Sequence, residues 1–280
     1  MNCIVCLCVY NNEFGLPFVL NNILKINDFF PNIKILVFYD NSQDKSLEIL
    51  NNFNEKYRNM EIIINTNPKS FLRTQNIANA RNSLLEQIRE KYSDVPYFIM
   101  MDSNEYSCIG NINMDVLKKG IDRNNEWDAL SFDREAGYYD TWALSFEPFI
   151  YSFFHFHNWQ NVVELMRVDF KQLMDDYKRN KPNEFIPVYS AFNGFSIYKT
   201  SKFINCSYSS NINIDLFPQD VLIKQFEVTN SNIIHNFTND CEHRHFHLEA
   251  IKKNNAKIRI CQDFLFAKFI NPPKNLRGPA

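Results

Sequence analysis

Three short stretches gather side chains capable of chemistry: Asp40-Asn41-Ser42-Gln43-Asp44, Asp102-Ser103-Asn104-Glu105 and Asp240-Cys241-Glu242-His243-Arg244-His245. Mg²⁺ and Mn²⁺ take oxygen ligands and usually keep substrate phosphates among them, so Asp102 and Asn104 are candidates to bridge a cation to a diphosphate. Imidazole accepts Mn²⁺ more readily than Mg²⁺, which adds His243 and His245 to the candidate ligands. Glu242 offers a different chemistry, that of a general base. Each stretch also has a purely structural reading. Loops are polar, Asp or Asn caps the next helix, and Glu242 in a first turn is favoured by the helix dipole.

Positioning these residues requires particular elements. Residues 2–10 are a continuous apolar run without helical period, the pattern of a strand buried on both faces of a parallel sheet. Apolar residues at three- and four-residue spacing then predict a helix over 16–26, followed by a strand over 34–39 that stops at Asp40. The alternation continues with a helix over 43–57, a strand over 61–64, a helix over 77–92 and a strand over 96–101 that stops at Asp102. Such βαβ units predict an α/β fold with a mostly parallel central sheet, Rossmann-like in its first half. Three polar loops then leave the carboxyl ends of their strands along one edge, where ligands bind in open sheets. Further on, strands are predicted at 129–132, 139–144, 187–197 (interrupted by Asn193-Gly194) and 257–261, with helices at 159–178 and 241–253. With no linker, repeat or low-complexity block, one domain over 1–270 is expected. Residues 1–107 form a nucleotide-type first half, 108–270 a second half that completes the sheet and builds a pocket, and 271–280 a mobile tail.

Other residues divide between chemistry and packing. Tyr138, Tyr139, Asp140 and Trp142 could wall a sugar ring, whose C–H face suits an aromatic plane and whose hydroxyls suit a carboxylate; core aromatics are the alternative. Gly194 permits close backbone approach, by a ligand or in a bulge. On a strand Cys6 and Cys8 face one way and Cys3 the other, so the three read as small buried hydrophobes. His155 and His157 read as packing or surface residues, and a zinc pair of His243 with His247 lacks further ligands at the expected spacing.

Composition narrows the classes. Thirty Lys plus Arg against 32 Asp plus Glu leave a net charge of −2, which disfavours a nucleic-acid partner held by bulk charge. A 45% hydrophobic and 15% aromatic content supports a large core. No apolar run approaches the ~20 residues of a membrane span, and residues 1–10 lack a basic region and a cleavage site. Seven cysteines without framework spacing then point to reduced thiols in the cytoplasm, with the sequons at Asn205 and Asn236 unused. The Asn, Ile, Lys and Phe bias suits an AT-rich genome, such as that of a large virus or a parasite. Neither GxGxxG nor GxxxxGK[ST] occurs, so a nucleotide, if bound, is held in another way.

The run Arg73-Thr-Gln-Asn-Ile-Ala-Asn-Ala-Arg81-Asn82, followed by Tyr97-Phe-Ile-Met-Met-Asp102-Ser-Asn104, resembles the segment of family-2-like GT-A glycosyltransferases in which an Ala-Arg-Asn helix leads to the Asp-x-Asp strand. Tyr138 to Leu144, Ala191 to Phe195 and Cys241-Glu242-His243, in order, resemble more narrowly such enzymes of large DNA viruses and some microbes. The likeness covers about residues 3–262. It implies a single GT-A domain that moves a sugar from a nucleoside diphosphate donor to a hydroxyl acceptor, most simply a glycan, with inversion. Donor contacts would come from Val9, Tyr10, Asn11, Asp40 (on the base or ribose), Ser42, Arg73, Arg81, Asn82, Met101, Ser103, Asn193 and Gly194. Acceptor contacts would come from Tyr139 and Trp142. Glu242 would be the base that deprotonates the acceptor, with Asp140 also catalytic. Mn²⁺ or Mg²⁺ would sit on Asp102, Asn104, His243 and His245, weakly bound or optional because Asn104 replaces the second acid, with Glu105 a possible substitute. Two other classes remain. A nucleotidyltransferase would carry a glycine-rich, basic loop where Asn11-Asn12-Glu13 stands, and a non-catalytic carbohydrate-binding relic would suit the neutral Asn104.

Overall fold

The computed structural model describes residues 2–104, 107, 108, 110–135, 137–234 and 239–267. Glu105, the sequon at Asn236 and the tail beyond 267 therefore lie outside the described residues. Eight strands form one sheet: β1 Asn2–Val9, β2 Asn32–Tyr39, β3 Met60–Ile64, β4 Tyr97–Asp102, β5 Ala129–Arg134, β6 Ile186–Val188, β7 Phe195–Lys199 and β8 Ile258–Phe266. Their order is β3-β2-β1-β4-β7-β5-β8-β6. The first four are parallel, and β5 runs parallel to β8, while β7 enters antiparallel between β4 and β5 and β6 closes the far edge antiparallel. The helices are α1 Leu16–Phe29, α2 Ser46–Tyr57, α3 Arg73–Lys91, α4 Met114–Asp122, α5 Trp159–Asn180, α6 Thr200–Phe203, α7 Gln219–Thr229 and α8 Glu242–Asn254. None among the described residues is long and apolar enough to cross a membrane.

The expected α/β fold is present as a single domain, and β1 shows why its sequence reads as it does. Cys3, Val5 and Leu7 enter one core, Ile4 and Cys6 the other, because successive side chains point to opposite faces and both faces are covered. All seven cysteines are unbridged, and burial pushes the thiols of Cys3, Cys6 and Cys8 upward. His247 is likewise a core residue, with Nδ1 2.9 Å from Ser190 Oγ and Nε2 3.1 Å from the Tyr198 hydroxyl.

Two expectations fail in the second half. Residues 139–144 are an irregular turn, since Tyr138 packs edge-on to Phe170 and Trp142 to Phe154 rather than alternating across a sheet. The strand expected over 187–197 is two strands in different places: β6 pairs with β8, and β7 with β4 and β5. Helices α4 and α7 were not anticipated; each is only two to three turns long, so its apolar residues repeat too few times to set a clear period.

A chain with only six glycines makes its left-handed turns with asparagine. Asn11, Asn41, Asn193, Asn230 and Asn255 adopt positive φ alongside Arg58, a conformation that a short amide side chain tolerates better than most. Asn11, Asn41 and Asn193 lie at the sheet edge described next.

Candidate active site

Parallel register aligns the ends of β1, β2 and β4: Val9 pairs with Tyr39 and Cys8 with Asp102. Tyr10, Asp40 and Ser103 therefore leave the sheet side by side. The first two loops lock together. The Asn11 amide donates to Ser42 Oγ at 2.9 Å, the Gln43 amide to Asn11 Oδ1 at 2.8 Å, and the Glu13 amide to Asp44 Oδ2 at 2.9 Å. Beside them Asp40 accepts from Asn65 Nδ2 at 2.7 Å and pairs with Lys69 Nζ at 3.2 Å. The same ammonium lies 3.6 Å from the centroid of the exposed Tyr10 ring. The side chains of Val9 and Met101 are buried, and Ser103 Oγ donates to the Cys8 carbonyl at 2.7 Å. These three thus hold the edge in shape from beneath.

At the end of β4, Asp102 is the centre of a buried network. Its Oδ1 pairs with Arg81 Nη2 at 3.2 Å, and its Oδ2 faces Ser107 Oγ at 3.2 Å and the Tyr139 hydroxyl at 3.4 Å. Arg81 Nη1 also contacts Glu242 Oε1 and His243 Nε2. Burial raises the Glu242 carboxyl above the usual range, with Arg81 opposing the shift. Burial, with Arg81 assisting, pushes His243 well below the usual imidazole range, so its neutral ring turns a lone pair to the guanidinium. Asn82 does not face this network. Its amide bonds the Tyr208 backbone twice, at 2.8 Å each, and so fixes the ring that flanks Arg81. Arg73 opens α3 as an exposed residue whose charge is felt at Glu242.

The loop over 137–142 forms the opposite wall. Asn193, buried and at positive φ, accepts from the Tyr139 amide at 3.1 Å and the Asp140 amide at 3.4 Å while donating to the Phe132 carbonyl at 3.0 Å. Gly194 has no room for a side chain: a Cβ there would lie 2.4 Å from that of Ser107. Both residues thus brace the wall. Asp140 is half-buried, its Oδ1 accepting from the Ala143 amide at 3.2 Å. Burial and then Asp102 raise its carboxyl to about 7. Trp142 is fixed through its carbonyl, which accepts from Arg244 Nη2 at 2.6 Å.

The expected metal set does not assemble. Among the described residues no three His, Cys, Asp or Glu side chains are grouped to hold an ion. Asp102 and His243 do converge, but on Arg81. Asn104 Oδ1 accepts from Ser107 Oγ at 2.7 Å, and His245 lies apart, 4.0 Å from Glu249. A base role for Glu242 is also at odds with its surroundings, because its Oε1 is committed to Arg81 and the residue is buried. Sequence reasoning missed Lys69, Ser107, Phe192 and Tyr208. Phe192 stood in a noted motif; the others carry no spacing signal and reach the site only through folding.

Residues 4–106, from β1 through β4, match the family described as Glycosyl transferase family 2, a family of enzymes. No curated protein matches the chain. TarS of S. aureus aligns with a TM-score of 0.51 at 15% identity, over 97% of this chain and 37% of that one. The mannosyltransferase PcManGT of Pyrobaculum calidifontis, in complex with GDP-Man and Mn²⁺, gives 0.47 at 12% identity over 98% and 57%. Glucosyl-3-phosphoglycerate synthase of Mycobacterium tuberculosis, in complex with Mn²⁺, UDP and phosphoglyceric acid, gives 0.43 at 11% over 81% and 64%. The chain spans less than two thirds of the length of each. The likeness to TarS is one of fold, and the domain is a GT-A fold.

Proposed function

We propose that the chain is a glycosyltransferase that moves a sugar from a nucleoside diphosphate sugar to an acceptor hydroxyl, most simply on a glycan, with inversion. One observation carries this reading. At a sheet edge whose first half matches a glycosyl transferase family, Asp102 at the end of β4 meets the Tyr139 hydroxyl at 3.4 Å, and the next residue, Asp140, offers a half-buried carboxylate whose proton affinity burial and Asp102 raise. Asp40, Ser42 and Tyr10 take the nucleoside, Arg73 adds positive charge for the diphosphate, and Tyr139 and Trp142 take the acceptor. We place the general base at Asp140 and make Glu242 the positioning residue for Arg81. Asp140 accepts the acceptor's hydroxyl proton, the oxygen attacks the anomeric carbon, and the bond from that carbon to the diphosphate breaks with its electron pair leaving on the nucleotide. Attack from the face opposite the leaving group inverts the anomeric centre.

A panel of nucleoside diphosphates and their sugars, scored by protection against thermal unfolding, tests the reading, since a ligand that binds the native state raises the midpoint by mass action. At least one should protect the wild-type protein. Asp40→Ala should weaken that ligand by about 10- to 100-fold, as expected for charge-assisted hydrogen bonds worth about 1.5–3 kcal/mol, without altering preference among sugars on one nucleotide. No protection by any member, or full protection of the variant, would remove the nucleotide site.

A further inference from the structure

We infer that Arg81 is the resident cation of this site, a guanidinium fixed where a divalent ion would have to stand, so that the protein binds a nucleoside diphosphate without one. The inference rests on reading the β1, β2 and β4 loops as a nucleotide site. Asp102 comes from the end of β4 and Glu242 with His243 from the start of α8, all three turn toward one point, and carboxylates and imidazole are donor types that suit a transition metal. The point is taken. Nη2 donates to Asp102 Oδ1 at 3.2 Å, and Nη1 donates to both Glu242 Oε1 and His243 Nε2, which uses both of its hydrogens.

This arginine is built in. Arg81 is 5% exposed, its guanidinium carbon lying 4.7 Å from the Phe192 ring centroid and 5.6 Å from that of Tyr208. The His243 ring stacks on Phe192 with centroids 3.8 Å apart, and Asn82, the next residue of α3, fixes Tyr208. Swinging the side chain out would break the ion pairs and both ring contacts together. A divalent ion held by Asp102 Oδ1, Glu242 Oε1 and His243 Nε2 would need the atoms that Arg81 already engages, so at those three atoms it and the guanidinium exclude each other. Arginine also cannot be deprotonated in a protein, so the positive charge beside Asp102 is permanent. It offsets the charge of the buried Glu242 and the part-buried Asp102 at the place where a diphosphate would approach.

Mn²⁺ titration followed by electron paramagnetic resonance, on the full chain without nucleotide, reads the exclusion directly. Wild type should show no saturable Mn²⁺ site, whereas Arg81→Met, which keeps a long apolar stem between Phe192 and Tyr208, should gain one. Arg81→Lys, which keeps a cation, should stay close to wild type. Calorimetry with UDP and GDP then compares wild type in EDTA and in Mn²⁺, and the dissociation constant of whichever nucleotide binds should agree within about twofold, a fraction of 1 kcal/mol. A saturable Mn²⁺ site in wild type, or nucleotide binding that is lost in EDTA and restored by Mn²⁺, overturns the inference whether or not the variants fold. If neither nucleotide binds under either condition, the nucleotide reading fails, while the Mn²⁺ titration still decides whether Arg81 holds the cation position.

Discussion

Asp140 ties chemistry to stability in a single side chain. As a base it works only when ionised, so kcat/KM should rise with pH and level off above about 7, where burial and Asp102 have moved its carboxyl. Folding stability should run the other way. The unfolded chain releases this proton near 3.8 and the folded one near 7, so the native state binds more protons between those values. Its contribution is therefore greatest below the lower value and declines as pH rises through the window. Asp140→Asn should lower transfer by about 10²- to 10⁴-fold, the usual span for general base catalysis. At pH 8 the variant should melt above wild type, and at pH 4 the gain should vanish. Initial rates and melting curves at both pH values check this; a variant that is equally active, or destabilised at pH 8, would assign the carboxylate a structural role. Glu242→Gln, by contrast, should alter the setting of Arg81 and spare the acidic limb of the rate profile.

The start of α8 does two jobs from alternate faces of one helix. Glu242 and His243 turn to Arg81, while Arg244 turns to the wall loop. Arg244 is almost wholly buried and pairs with Asp240 at 2.8 Å. It also donates to Ser145 Oγ and to the carbonyls of Trp142, Leu144 and Ile150. One guanidinium thereby fastens an irregular segment whose carbonyls have no sheet partner. Arg244→Met should cost about 3–5 kcal/mol, since removing one member leaves Asp240 a buried unpaired charge, and should release Trp142. Urea unfolding with tryptophan fluorescence as a second probe measures both. A midpoint shift equivalent to less than about 1 kcal/mol would mean that the clamp carries little of the loop's order.

For the whole molecule, the insertion of β7 between β4 and β5 makes the two halves interdependent. Residues 1–107 contain β1 to β4 and the family match, yet alone they would leave β4 as an apolar edge strand without its antiparallel neighbour. They would also leave bare the face that α8, β5 and β7 cover. Expressed alone, this fragment should not unfold cooperatively and should aggregate, which circular dichroism and light scattering would show. A sharp, reversible melt of the fragment would mean that the first half is a domain in its own right.

Apolar period and polar punctuation are local properties, and they alone determined β1 to β4, the helices between them and the loops at Tyr10, Asp40 and Asp102. A strand buried on both faces and a helix buried on one leave periods that need no partner to be read. The assignment of residues 139–144 failed because aromatic content cannot say whether rings alternate across a sheet or pack into a loop. The expected strand over 187–197 failed because only strand pairing separates β6 from β7. Site residues followed the same division. Asp40, Asp102, Arg81, Glu242 and His243 were legible as chemistry, but that Asp102, Glu242 and His243 would gather round the guanidinium of Arg81 was not. That gathering depends on where α3 and α8 bring Arg81, Glu242 and His243, 161 and 162 residues apart in sequence, and two like-charged cations cannot occupy the one point on which their ligands converge.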